Sequence, residues 1–122
     1  MKLHMATYFG VLIIIECARV PKGELLSGSM IAQKINMTYG YFCKLSNSLI
    51  KAGILASVQG RNGGYYLPCT ADQISLYDIQ AATSETTREA LDWKNEKVEN
   101  YYNQLEQMTI DSLKAQTIDK FL

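Results

Sequence analysis

The side chains able to do chemistry in this chain are few and scattered. Cys17, Cys43 and Cys69 offer thiol chemistry, but an odd number at wide spacing reads neither as a disulfide framework nor as a zinc site. His4 is the sole histidine. No nucleophile–base pair can be placed, and no phosphate-binding glycine loop opens a helix, so the chain does not read as an enzyme. The informative residues are cations, amides and hydroxyls near two turns. Asn47 has the donor–acceptor pair that reads adenine bidentately, and Lys44 can reach guanine or a phosphate. Gln59, Arg61 and Asn62 lie in the glycine-dense run Gly60-Arg61-Asn62-Gly63-Gly64, where Arg61 suits a narrow minor groove.

Those residues need elements that present them. Thr38 is a good N-cap for a helix running to Ala52 and closed by Gly53. Phe42, Leu45, Leu49 and Ala52 form its inward stripe, while Tyr39, Cys43, Lys44, Asn47 and Lys51 fall largely on the other side. A shorter helix, Met30 to Ile35, precedes it, capped by Ser27 or Ser29 and stopped at Asn36. Two such helices joined by a tight turn make a helix-turn-helix. Ile54 to Val58 and Tyr65 to Leu67 then read as strands around the glycine turn, and a hairpin in that place is a wing. Upstream, residues 3 to about 19 are apolar on nearly every face and predict a buried first helix, although the run Val11 to Ile15 also permits a strand. Downstream, Ser75 to Ala82 predicts another short helix.

From Thr86, which has capping-box spacing to Glu89, the pattern changes. Leu91, Val98 and Leu105 repeat every seven residues, and Lys94, Tyr101 and Met108 form a second seam. This predicts a long dimerisation helix, followed by a short helix from Thr109 over Ile110 to Ala115. The expected fold is mostly α with a small β-hairpin: a winged helix-turn-helix head over residues 1–83, and a dimerisation helix with a short C-terminal helix over 84–122.

The formal net charge is zero, but its distribution is uneven. Residues 1–68 carry seven cations against two anions, and residues 69–122 five against ten. A basic first half suits contact with an anion. The expected DNA contacts are Lys2, Ser27, Thr38, Tyr39, Tyr41, Lys44, Asn47, Gln59, Arg61 and Asn62, with Tyr41 equally readable as core. No apolar run is long enough to span a bilayer, so a cytoplasmic (nucleoid-associated) protein is expected, without membrane contact.

The stretch Ile31-Ala32, Met37-Thr38, Tyr41-Phe42, Leu45, Lys51-Ala52-Gly53-Ile54-Leu55, Ser57-Val58, Gly60 and Gly63-Gly64-Tyr65 resembles the Rrf2 family of bacterial winged-helix repressors, the IscR- and NsrR-like regulators. Met1-Lys2-Leu3, Ile74-Ser75-Leu76 and Met108-Thr109-Ile110 to Leu113 match in order, so the resemblance covers about the whole chain. It implies a homodimeric, sequence-specific DNA-binding transcription regulator on an imperfect palindrome of double-stranded DNA. Members with an iron–sulfur cluster carry three cysteines between the wing and the long helix, whereas residues 70–122 here hold neither cysteine nor histidine. No cluster and no metal are therefore expected. Gln59 stands for the family's wing arginine, Arg61 for a proline, and Cys43 for a frequent glutamate. Ala6 and Tyr8 replace basic residues of the first helix. These changes imply an altered DNA preference or weaker binding.

Three signals stay open: oxidation of Cys43, a small apolar or aromatic ligand in a pocket of Trp93, Tyr101 and Tyr102, or a protein effector. The alternative function is a winged-helix protein–protein adaptor, or a regulator's partner, that has lost strong DNA binding.

Overall fold

The computed structural model describes residues 5–84 and 95–122. Lys2, His4, Leu91, Trp93 and Lys94, like the Thr86–Glu89 pair, lie outside the described residues.

Helix α1 (Met5–Ala18) settles the choice between helix and strand at Val11 to Ile15. It buries Thr7, Gly10, Ile13, Ile14 and Cys17, because the head's other elements pack around it. Helix α2 (Gly28–Lys34) starts two residues before the expected Met30. Ser27 is its cap, accepting from the Met30 amide at 3.5 Å. Asn36 takes a left-handed φ of 57° and turns the chain into α3 (Tyr39–Lys51). Thr38 caps α3 by accepting from the Tyr41 amide at 3.3 Å.

Strands β1 (Ala56–Val58) and β2 (Gly64–Tyr66) pair antiparallel, with Ser57 opposite Tyr65. The returning strand therefore sits one residue earlier than Tyr65 to Leu67. Leu26 adds a one-residue third strand, donating to the Tyr65 carbonyl at 3.0 Å and accepting from its amide at 2.8 Å. The wing is thus tied to the residue just before the α2 cap. Helix α4 (Leu76–Thr83) opens with a capping box between Ser75 and Asp78.

Helix α5 (Glu96–Lys114) begins behind the cap residue Asn95. It corrects the expected break at Thr109: Ile110 to Lys114 continue α5, and the Thr109 hydroxyl donates back to the Leu105 carbonyl at 3.0 Å. A threonine that bonds its own preceding turn sits in a helix interior without ending it. The chain then returns to the head. Leu76 donates to the Gln116 carbonyl at 2.8 Å and Ile118 to the Ile74 carbonyl at 2.9 Å. Ile118, opening a 3₁₀ turn (Ile118–Phe121), is fully buried.

The core joins Ile13 and Ile14 of α1, Ile31 of α2, Phe42, Leu45 and Leu49 of α3, Leu55, Ile74, Ile79 of α4 and Ile118. Between α1 and α4, the buried Thr7 hydroxyl meets that of Thr83 at 3.0 Å, and Thr83 donates to the Ile79 carbonyl at 2.7 Å. Burial, helped by Glu16, pushes the Cys17 thiol up to about 12, so it stays protonated and behaves as a small apolar residue.

Ser46 breaks the pattern. Its hydroxyl is fully buried on the inner face of α3 with no hydrogen-bond partner among the described residues. An unmet buried hydroxyl costs about 1–3 kcal/mol. Ser46→Ala is therefore expected to stabilise the fold by about 1 kcal/mol, read as a higher urea midpoint at constant slope.

Candidate nucleic-acid interface

The putting-together of α3 and the wing depends on a small joint. Phe42, fully buried on α3, meets the Tyr65 ring of β2 edge-on, centroids 5.2 Å apart at 82°. Gly28, in the first turn of α2, sits against both: a Cβ there would lie 2.8 Å from a carbon of each ring. Three elements thus meet where any side chain on α2 would wedge them apart. A second glycine shapes the wing tip. A Cβ on Gly63 would fall 2.0 Å from the Val58 carbonyl oxygen, so only glycine lets the Gly60–Gly63 turn close. The Gly63 amide donates to the Gly60 carbonyl at 3.0 Å.

The outer face of α3 follows from helical geometry. Phe42, Leu45, Ser46 and Leu49 point inward. Gly40, Lys44, Asn47 and Lys51 are exposed at four-, three- and four-residue intervals, which makes one continuous solvent stripe. Thr38 and Tyr39 are exposed at its N-terminal end. Ser27 is half-buried, its hydroxyl 2.9 Å from that of Ser29. Gln59, Arg61 and Asn62 are exposed on the wing tip. Tyr41 is half-buried, with the Phe9 ring edge-on to it at 5.9 Å, so much of it is spent on packing against α1.

Elsewhere on the head, Lys34 is bound at 2.9 Å to Glu16, which also lies 3.7 Å from Arg19. Among the described residues, neither Lys44 nor Arg61 has a salt bridge, and their charge is open to an outside anion.

Cys43 is half-buried on α3, flanked by aromatic groups. The Tyr39 hydroxyl shares a hydrogen bond with the Cys43 thiol, which raises that phenol above its ordinary value. Burial, then the neighbouring Cys43 and Tyr39, raises Tyr65 as well. Both phenols stay neutral at physiological pH. Sequence reading placed Cys43 on the outer face but missed this cluster, because Tyr65 arrives from a different element.

Of the expected ligand pocket, Tyr101 and Tyr102 are described, and they separate. Tyr102 lines a groove of about 560 Å³ between α4 and α5, with Tyr77, Ala81, Leu105, Ile110 and Leu113. Tyr101 does not line it and is 65% exposed. Along α5, Val98, Leu105 and Met108 are exposed as well, leaving the described residues of both heptad seams open to solvent.

Cys17 and Cys69 line one depression beneath the end of β2, while Cys43 stands on α3. Burial and Asp78 raise the Cys69 thiol, which disfavours the thiolate that iron requires. Among the described residues no three potential ligands converge.

Comparison with known proteins accords with this architecture. The family described as Rrf2, iron-dependent transcriptional regulator, matches residues 3–122. An HTH-type transcriptional regulator of Lactococcus lactis, YffB, is 32% identical over 79 residues, covering 65% of this chain and 51% of that protein. The chain thus spans about half the length of that relative. Among solved structures, CymR (YrzC), the global cysteine regulator of B. subtilis, superposes with a TM-score of 0.82 at 24% identity, covering 99% of this chain and 95% of CymR. T. potens IscR gives 0.79 at 21% identity, covering 99% and 85%. At these identities the structural likeness speaks for the fold alone.

The joint at Gly28 gives a direct test. Gly28→Ala overpacks two rings and is expected to destabilise the protein by about 1–3 kcal/mol in urea unfolding. An unchanged midpoint would mean that Phe42 and Tyr65 do not hold α2 and the wing together.

Proposed function

This chain belongs to the Rrf2 family of transcriptional regulators, and from that premise we propose that it is a sequence-specific DNA-binding repressor acting as a homodimer. The observation that carries the reading is the solvent-exposed stripe of α3, on a helix joined to the wing strand by the Phe42–Tyr65 contact. An α-helix with its side chains is about 10–12 Å across and the major groove about 12 Å wide, so α3 fits with its stripe facing base edges. Lys44 and Asn47 are the donors that reach bases or phosphates. Arg61, Gln59 and Asn62 on the wing flank them at the backbone or minor groove. Thr38, Tyr39 and Ser27 supply further contacts at the helix end and around it, Tyr41 contributes its exposed portion, and Lys2 adds a cation in sequence.

The open seams of α5 support homodimerisation. Val98, Tyr101, Leu105 and Met108 expose apolar surface along one helix, and Leu91 and Lys94 extend the same heptads in sequence. A two-fold dimer sets two α3 helices on an imperfect palindrome, in successive major grooves. We read the protein as cytoplasmic. No helix among the described residues is long and apolar enough to cross a membrane.

We further read its signal as independent of an iron–sulfur cluster in this chain, because Cys43 lies outside the depression that Cys17 and Cys69 share and residues 70–122 offer neither thiol nor imidazole. Cys43 is the thiol best placed to act, since an oxidised or bulky adduct there would stand between α3 and the groove. A small apolar ligand in the α4–α5 groove at Tyr102, or a protein effector, are the other routes for a signal.

The test begins with duplexes selected by the protein from a random DNA pool. Lys44→Ala and Arg61→Ala are each expected to weaken binding, and each lost phosphate contact to lower the slope of log affinity against log salt by about 1. Unchanged affinity in both rejects this interface. Tyr101→Glu combined with Met108→Glu, both on solvent-exposed positions, is expected to give a folded monomer in sedimentation velocity. A dimer that survives would remove α5 from that role.

A further inference from the structure

Seven of the eight glycines are explained inside the chain, and one is not. Gly23, Gly53 and Gly60 adopt positive φ. Gly10, Gly28, Gly63 and Gly64 sit where a Cβ would crowd a neighbour at 3.0 Å or less. Gly40 has neither reason. It is helical, in the first turn of α3, and a Cβ added there meets nothing within 4 Å. Glycine weakens a helix relative to alanine by leaving the unfolded chain more freedom. Packing and backbone geometry among the described residues would both accept alanine, so nothing there calls for glycine at this position.

Gly40 also begins the solvent stripe that continues through Lys44 and Asn47. Its i+3 and i+4 neighbours on the helix surface are Cys43 and Lys44. The missing side chain leaves a shallow notch at the end of α3 that enters deepest into a major groove, and its floor offers no side-chain hydrogen-bonding group. Of the four bases, only thymine projects an apolar group, its 5-methyl, into that groove.

Resting on the DNA-binding reading above, we propose that Gly40 is a specificity-determining position, whose absent side chain admits a thymine methyl against the first turn of α3. The notch discriminates by shape. Lys44 and Asn47 discriminate by hydrogen bonding on the next turns of the same stripe. A methyl at residue 40 fills the space that the thymine methyl would take and lifts the helix end from the base.

The test uses the full chain and the duplex that it selects from a random DNA pool, with each thymine of a half-site replaced in turn by deoxyuridine. Gly40→Ala is expected to raise the melting temperature by about 2–5 °C. It is expected to lower affinity for the selected duplex roughly 5- to 100-fold, in the range of one lost base contact. At one thymine per half-site, uracil is expected to weaken the wild type several-fold and leave the Gly40→Ala protein unaffected. Wild-type binding that Gly40→Ala leaves unchanged overturns the proposal, as does a uracil effect of equal size in both proteins. A wild type that enriches no duplex overturns the DNA-binding reading itself, and this proposal with it.

Discussion

The contact between Phe42 and Tyr65, with Gly28 pressed against both rings, is the interaction on which the rest of the structure depends. A helix that is to enter a groove must be held at a set angle to the flap beside it, and neither element can do this alone. The wing hairpin has three residues per strand, too little to be stable in isolation. It gains order by pairing Tyr65 with Leu26 and by placing the Tyr65 ring on Phe42. Leu26 leads directly into the Ser27 cap of α2, so the same few residues orient both halves of the helix-turn-helix. Aromatic edge-to-face packing suits this task, because its geometric preference adds direction to hydrophobic burial.

A second tie joins the head to the long helix. The chain leaves the head, runs along α5 and comes back to bury Ile118 beneath Ile74, closed by backbone hydrogen bonds on both sides of Ser75 and Thr117. Lys114 stacks over Tyr77 at 4.9 Å, and Lys120 caps the end of α5 on the Ala115 carbonyl. Helix α5 is therefore anchored at its C-terminal end, while its apolar seams stay exposed. Such an arrangement can pass strain between an interface on α5 and the position of α4 within the head. The groove lined by Tyr102 and Tyr77 lies at that seam.

The three thiols illustrate how one residue type takes different characters. Cys17 is buried, held protonated by desolvation, and serves as core. Cys69 sits at the end of the wing, near Asp78, in surroundings that disfavour its anion. Cys43 shares a hydrogen bond with Tyr39 on the face assigned to DNA. The resemblance to a family with iron-sensing members came with the expectation of no cluster here, because residues 70–122 hold neither cysteine nor histidine.

Much of the fold was legible in order. The Thr38 cap, the Asn36 stop and the Gly53 end bound α3 as expected, because capping and left-handed turns are local demands on residue type. The glycine turn marked the wing for the same reason, and the Phe42–Leu45–Leu49 spacing marked the buried side of α3. Less was legible where local signals compete. The β-branched run in α1 allowed a strand, whereas packing against α3, α4, the wing and the C-terminal 3₁₀ turn goes with a helix, and a single threonine at 109 suggested a boundary that the continuous helix ignores. What sequence alone determined was the helix-turn-helix, its wing and the outward stripe of α3, since these follow from short-range periodicity and capping. What only the tertiary structure decided was which residues meet: Gly28 with two rings, Tyr39 with Cys43 beside Tyr65, Ile118 within the head's core, and Gly40 with nothing. The contacts among these join separate segments, Tyr65 of the wing with the helix that carries Tyr39 and Cys43 for one, and no local pattern of residue types encodes the distance between them.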